Sequence, residues 1–162
     1  MDYINIPEDR VSVLIGPKGT TKRRIEKLGE SKLKISNNGN ITIEGENLIV
    51  KSVVEAIGRG FNPRTAMKLF DEDYSFEIVE LTEYSDSKSR LEVLRARVIG
   101  RNGSVRKSIE VQTGTILAIK GKTVSIIGKP EAVYLARRAL ELILSGSQHG
   151  SSFRWLKDQL SD

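Results

Sequence analysis

Two phrases of the sequence, VLIGPKGTTKRRIE over residues 13–26 and RVIGRNGSVRKSIE over residues 97–110, repeat one pattern. Each runs from an apolar residue through Gly-x-x-Gly and a basic cluster to Ile-Glu, and the first glycines, Gly16 and Gly100, stand 84 residues apart. A chain of 162 residues holds one medium domain or two small ones, and a repeat at about half its length favours two.

The surroundings of the two phrases repeat as well. In the first half, residues 3–6 read as a strand and residues 10–15 as a short helix closed by Gly16. Thr20 and Thr21 are expected to cap a helix that runs to Leu28, with Gly29 past its end and Ile25 and Leu28 on one face. KLKIS and ITIEG form a hairpin around NNGN, whose residues tolerate positive φ. Ile49, Val53, Ala56 and Ile57 then follow helical spacing.

The second half gives a strand over 74–81 and helices over 88–99 and 104–112, with Gly114 in the place of Gly29. Two strands flank Gly121-Lys122, and a helix over 129–144 is expected to turn Ala132, Leu135, Ala139, Leu142 and Ile143 inward. Ile35 corresponds to Ile119, and Gly45 to Gly128. Each unit therefore reads strand, helix, Gly-x-x-Gly, helix, strand, strand, helix. This is an α+β class of fold, with a three-stranded antiparallel sheet covered by helices in each unit. The expected organisation is a first domain over 1–60, an acidic connector with its own short helix over 61–73, a second domain over 74–146 and a C-terminal helical extension over 147–162. Phe153 and Trp155 in that extension are expected to dock on the core.

Composition excludes several kinds of chemistry. Hydrophobic residues at 38% and charged ones at 29% describe a folded domain rather than a disordered one. Without cysteine there is no disulfide framework, thiol nucleophile or cysteine-held zinc, and the one histidine, His149, rules out a multi-histidine metal site. GKT at residues 121–123 lacks the upstream glycine of a phosphate-binding loop and lies in a hairpin. Asp71, Glu72 and Asp73 read as a solvated linker rather than as metal ligands. No catalytic residue, metal ligand or cofactor is expected. No apolar run reaches the length of a membrane span and the N-terminus lacks a signal-peptide layout, so a cytoplasmic protein with no membrane partner is expected.

Charge is unevenly distributed. Residues 1–60 balance at +2, residues 61–86 at −5 and residues 87–128 at +7. A basic stripe of this kind is the footprint of a nucleic-acid binder, although a merely solvated surface also accounts for charge taken alone.

A glycine pair between two helices has two readings. It can simply end one helix and begin the next. It can also clear space for a phosphate, at which the following helix aims free N–H groups and the positive end of its dipole. Basic residues at matching offsets favour the second reading: Lys18, Lys22, Arg23 and Arg24 in one copy, Arg101, Arg106 and Lys107 in the other. Ile15 and Ile25, and likewise Ile99 and Ile109, are expected to wall a groove for unstacked bases.

An apolar-Ile-Gly-x-x-Gly phrase leading into a helix, two strands and a helix resembles the KH domain, whose GXXG loop clamps about four nucleotides of single-stranded backbone. Two strands downstream of the loop match its eukaryotic-style, type I form, here in tandem. Many KH domains carry an aliphatic residue three positions past the second loop glycine, where this chain has Lys22 and Arg106. With that departure, VIGRNGSVRKSIEVQTGTILAIKGKTVSIIG and the tail HGSSFRWL are similar to the partner-of-Nob family of tandem-KH ribosome-assembly factors. The chain begins almost at its first strand, as archaeal members do, whereas eukaryotic ones carry a long N-terminal extension.

The resemblance implies binding at the 3′ end of small-subunit rRNA, with a PIN-domain endonuclease and the alpha subunit of translation initiation factor two as partners. Carried onto this chain, the RNA-binding residues are Ile15, Gly16, Pro17, Lys18, Gly19, Lys22, Arg23 and Ile35 in the first unit. In the second they are Ile99, Gly100, Arg101, Asn102, Gly103, Ser104, Arg106, Lys107 and Ile119. Main-chain groups of the strands bearing Ile35 and Ile119 are expected to read base edges. The more basic second unit, whose loop lacks proline, is expected to contribute more affinity. A protein-interaction scaffold with a KH fold, or a binder of other RNA or of single-stranded DNA, are the alternative readings.

Overall fold

Alternating aliphatic residues, glycine stops and two hairpin turns set the same order of elements in each half of the chain. The computed structural model describes residues 1–146 and 149–161; Ser147, Gln148 and Asp162, within the expected extension, lie outside the described residues. The chain divides into two units, Met1–Tyr74 and Ser75–Asp162.

The first unit comprises β1 (Asp2–Asn5), α1 (Val11–Ile15), α2 (Thr20–Leu28), β2 (Lys32–Ile35), β3 (Asn40–Glu44), α3 (Ile49–Gly58) and α4 (Pro63–Ala66). The second comprises β4 (Ser75–Glu80), α5 (Lys88–Ile99), α6 (Ser104–Thr113), β5 (Ile116–Lys120), β6 (Thr123–Gly128), α7 (Pro130–Leu144) and α8 (His149–Leu160). Both sheets are antiparallel, with orders β1-β3-β2 and β4-β6-β5, so β2 and β5 are edge strands.

Each core lies between one face of its sheet and the helices. In the first unit Leu33, Ile41 and Ile43 alternate inward and are buried, as are Leu14, Ile25, Val53 and Ile57 of the helices. In the second, Val79, Leu117, Val124 and Ile126 join Leu94, Val98, Ile109, Ala136, Leu140 and Ile143 in one cluster. Each valine, leucine or isoleucine among them contributes about 1.5–3 kcal/mol through its removal from water. Arg10 fastens the start of α1 to the end of α3, donating to the Ile57 and Phe61 carbonyls at 2.8 Å each. Arg137 of α7 holds Glu77 of β4 at 2.6 Å.

The structure revises several expectations. Thr20 and Thr21 do not cap α2; Gly19 occupies the N-cap position in the left-handed conformation, with no side-chain cap. Leu28 does not share the buried face of Ile25 but is 49% exposed. Gly29 does stand just past the end of α2, at φ −95°, and the neighbouring Glu30 takes positive φ. Gly29 is required for space, because a Cβ there would run into the Val50 side chain. Gly114, by contrast, is a left-handed cap with nothing within 4 Å of a Cβ. On α7 the buried stripe is Val133, Ala136, Leu140 and Ile143 together with Ala139, while Ala132, Leu135 and Leu142 are half-buried flanks.

Residues 61–73, expected as a connector, are built into the first unit. Asn62 caps α4 by accepting the Thr65 N–H at 2.9 Å, and Phe61, Ala66 and Leu69 are buried, with α4 and the turn after it packed on α3. Asp71, Glu72 and Asp73 are exposed. In the second unit α8 packs on α7 and α6 through Ser152 and Leu156, both fully buried, while Phe153 lies against the core cluster and Trp155 is half-buried. Leu156→Ala is therefore expected to destabilise the second unit by about 2–5 kcal/mol in a denaturant titration, the range for emptying a buried leucine site.

Candidate nucleic-acid interface

Both Gly-x-x-Gly loops adopt one backbone shape. Gly16 has φ 74° and ψ 173°, Lys18 has φ 54° and ψ 28°, and Gly19 has φ 74° and ψ 15°. Gly100, Asn102 and Gly103 show 74° and 172°, 56° and 29°, and 74° and 15°. No pair differs by more than 2°. The first glycine ends the preceding helix, donating to Ser12 O at 2.9 Å or Ala96 O at 2.8 Å, and accepts from the second glycine at 3.1 Å. Positive φ combined with ψ near 173° is a region open essentially to glycine alone.

Space excludes a side chain at the first glycine too. A Cβ would lie 2.9 Å from Thr21 N at Gly16 and 2.7 Å from Val105 N at Gly100. The second glycine differs. A Cβ at Gly103 meets nothing within 4 Å, and one at Gly19 meets only the movable Arg23 guanidinium at 2.9 Å. The first glycine thus lets two helices approach each other, and the second leaves an open surface at a helix start. Gly19 and Gly103 supply no side-chain cap to α2 and α6, so a phosphate oxygen can take that role at either helix start.

Pro17, Lys18, Arg101, Asn102, Ser104, Arg23 and Lys107 are all exposed around these openings. Among the described residues Lys18, Arg101 and Lys107 have no ion-pair partner. Pro17 has no N–H, whereas Arg101 in the matching position keeps one. Left-handed backbone is also less costly for Asn102 than for Lys18, because a short amide side chain tolerates that region. Both differences favour the second loop as the better-formed anion cradle.

The isoleucines divide into two sets. Ile15 and Ile99, at the ends of α1 and α5, are half-exposed beside the loops, and so are Ile35 and Ile119 on the edge strands. Ile25 and Ile109 are not groove walls; both are fully buried, because they fall on the inner faces of α2 and α6. The strand positions matter through their main chain. Leu33 N–H and Leu117 N–H point away from the sheet, since each donates to a helix carboxylate at 2.8 and 2.9 Å. In an antiparallel ladder every second residue faces the same way, so the N–H and C=O of Ile35 and Ile119 also lie on the free edge.

Those carboxylates belong to Glu26 and Glu110, for which the sequence reading proposed no role. Their signal was the Ile-Glu recurring at one offset in both phrases. Glu26 also pairs with Lys22 at 3.3 Å, and Glu110 faces Arg106 at 3.8 Å, so the two departures from the usual aliphatic position are each answered one turn along the helix. Among the described residues no group of three or more acidic or histidine side chains is placed to hold a metal ion, and no helix is long and apolar enough to cross a membrane.

The same arrangement occurs in known proteins. A family profile for the second KH domain of PNO1 (partner-of-Nob) proteins, described as a eukaryotic-type, type I KH domain, matches residues 75–160. A KH domain-containing protein of Methanocaldococcus jannaschii is 39% identical over 97% of this chain and 73% of its own length. The crystal structure of Dim2p from Pyrococcus horikoshii is 38% identical with a TM-score of 0.87, covering 97% of this chain and 98% of that one. A complex of a/eIF2alpha, aDim2p and rRNA from the same organism aligns at 38% identity and a TM-score of 0.89, covering 98% of this chain and 92% of that one. A profile match over more than half of the chain, and a relative this similar over nearly all of it, place the chain in the PNO1-type family of KH-domain proteins.

Proposed function

We propose that this chain is a single-stranded RNA-binding protein and not an enzyme, and that it holds the 3′-end region of small-subunit rRNA during ribosome assembly and 3′-end processing in the cytoplasm. Both units act as type I KH domains in this reading, the first because it shares the element order, strand order and loop geometry of the second. RNA backbone passes over the GXXG loops, while bases lie against Ile15 and Ile35 or Ile99 and Ile119. The observation that carries this is the loop itself, built twice with the same dihedrals and flanked by exposed cations. The rRNA in the Pyrococcus complex supports the choice of ligand, and its a/eIF2alpha supports the initiation-factor subunit as a partner. The PIN-domain endonuclease implied by the family resemblance completes the set.

The test is a titration of a fluorescent small-subunit rRNA 3′-end oligonucleotide over a range of salt concentrations. Log affinity is expected to fall linearly with log salt, with a slope of about −0.7 for each phosphate contacted. A flat response overturns backbone recognition. Partner capture that survives nuclease, without RNA crosslinks, would instead indicate a protein scaffold.

A further inference from the structure

Glu26 and Glu110 stand at one offset behind their loops, and each uses Oε2 to anchor the edge strand beside it. Their second oxygens differ. In the first unit Lys22 Nζ lies 3.4 Å from Oε1 and 3.3 Å from Oε2 of Glu26, so both oxygens are engaged. In the second unit Arg106 Nε comes no nearer than 3.8 Å to Oε1 of Glu110, beyond hydrogen-bonding distance. A carboxylate oxygen offers two lone pairs and no proton, and among the described residues no group donates to Oε1 of Glu110.

Its place is the counterpart of a groove lining in the first unit. Glu26, at the same offset in the first unit, borders an open groove of about 620 Å³ together with Lys22, Arg23 and Lys32. The side chain of Glu110 keeps 22% of its surface exposed, and it lies between α6 and the free edge of β5 that carries the Ile119 main chain.

We infer that Glu110 is a base-reading residue: its Oε1 accepts the exocyclic amine of an adenine or cytosine seated in the groove of the second unit. This deepens the RNA-binding reading above and rests on it. Adenine and cytosine present an NH2 donor on the Watson–Crick edge, where guanine and uracil present a carbonyl oxygen at the equivalent place. At that place a carboxylate accepts from the first pair and meets a carbonyl oxygen in the second, whose N–H donors lie further along the edge. Among the described residues Arg106 is held by this long pairing alone, so it can turn to a phosphate when a base arrives. In the first unit the ammonium of Lys22 occupies both oxygens, so Glu26 does not discriminate in the same way.

The test is Glu110→Gln. Glutamine retains a carbonyl oxygen for the Leu117 N–H, and so keeps the strand anchored, but its NH2 places a donor where the inferred reader has an acceptor. Parent and variant are each incubated with a pool of randomised single-stranded RNA, the bound RNA is sequenced, and thermal stability is measured alongside. The parent is expected to enrich adenine or cytosine at one position by at least about fivefold. The variant is expected to lose that enrichment or turn it towards uracil or guanine, with other positions and stability unchanged. An unchanged base profile overturns the inference, whether affinity is kept or falls evenly with lowered stability, the mark of a mere strand anchor. A parent that retains no RNA from the pool fails the RNA-binding reading itself, and this inference with it.

Discussion

The double variant Arg101→Asp, Asn102→Asp is expected to bind an rRNA 3′-end oligonucleotide at least a hundredfold more weakly than the parent, with an unchanged melting temperature. Both side chains are exposed, and among the described residues Arg101 has no ion-pair partner whose loss would destabilise the fold. Asn102 sits at φ 56°, a conformation that aspartate tolerates about as readily as asparagine. The stability change should therefore stay within about 0.5 kcal/mol, as for ordinary surface sites.

Binding is different. Losing a charge-assisted contact to phosphate costs about 1.5–3 kcal/mol, and placing carboxylates there adds about 1 kcal/mol of repulsion for each close pair in water. At about 1.4 kcal/mol per decade, the sum reaches two decades or more. Anisotropy titration with the labelled oligonucleotide measures it. Parent-like affinity in a folded variant would remove the second loop from the interface.

A second large effect separates the two glycines of that loop. Gly100→Ala is expected to lower the unfolding free energy of the second unit by about 3 kcal/mol. Its φ of 74° with ψ of 172° lies where a side chain costs about 1–3 kcal/mol, and the new Cβ would sit 2.7 Å from Val105 N, which has to move. Gly103→Ala keeps to the left-handed region, at about 1 kcal/mol, and meets no atom within 4 Å. Its methyl instead projects into the opening assigned to the phosphate, so its main effect should be on RNA affinity. Denaturant unfolding and RNA titration of both variants check the pattern. If Gly103→Ala binds RNA as the parent does, the second glycine is not there to admit a ligand.

The parts of this fold that were legible in the sequence were those where glycines and polar caps fix a boundary. The helix over 88–99 is α5, which begins after a Ser87 cap and stops at Gly100, and α2 stops at Gly29. Repetition helped, because a loop that reads equally as a helix cap gains meaning when it recurs with the same basic offsets. What failed was helix phase. α7 is apolar on more than one side because α8 packs against it as well as the sheet, so spacing alone could not choose Val133, Ala136 and Leu140 over Ala132 and Leu135. The same ambiguity assigned Ile25 and Ile109 to a groove when their side of the helix faces the core. Glu26 and Glu110 look in sequence like ordinary solvated partners of a basic residue four positions earlier. Only their proximity to the Leu33 and Leu117 amides gives them a further role.

The twin loops have a consequence for the ligand. Three positive-φ residues in each are fixed by glycine geometry and by the helices they join, so the cradle is shaped before any nucleic acid arrives. On the RNA-binding reading proposed above, the entropy lost on association then falls mainly on the RNA, whose bases leave their own stacks to lie in the grooves. Strands that stack poorly on themselves or lack internal pairing should be favoured over structured ones carrying the same contact bases. Discrimination among transcripts would in that case begin with how loosely each holds its own 3′ end.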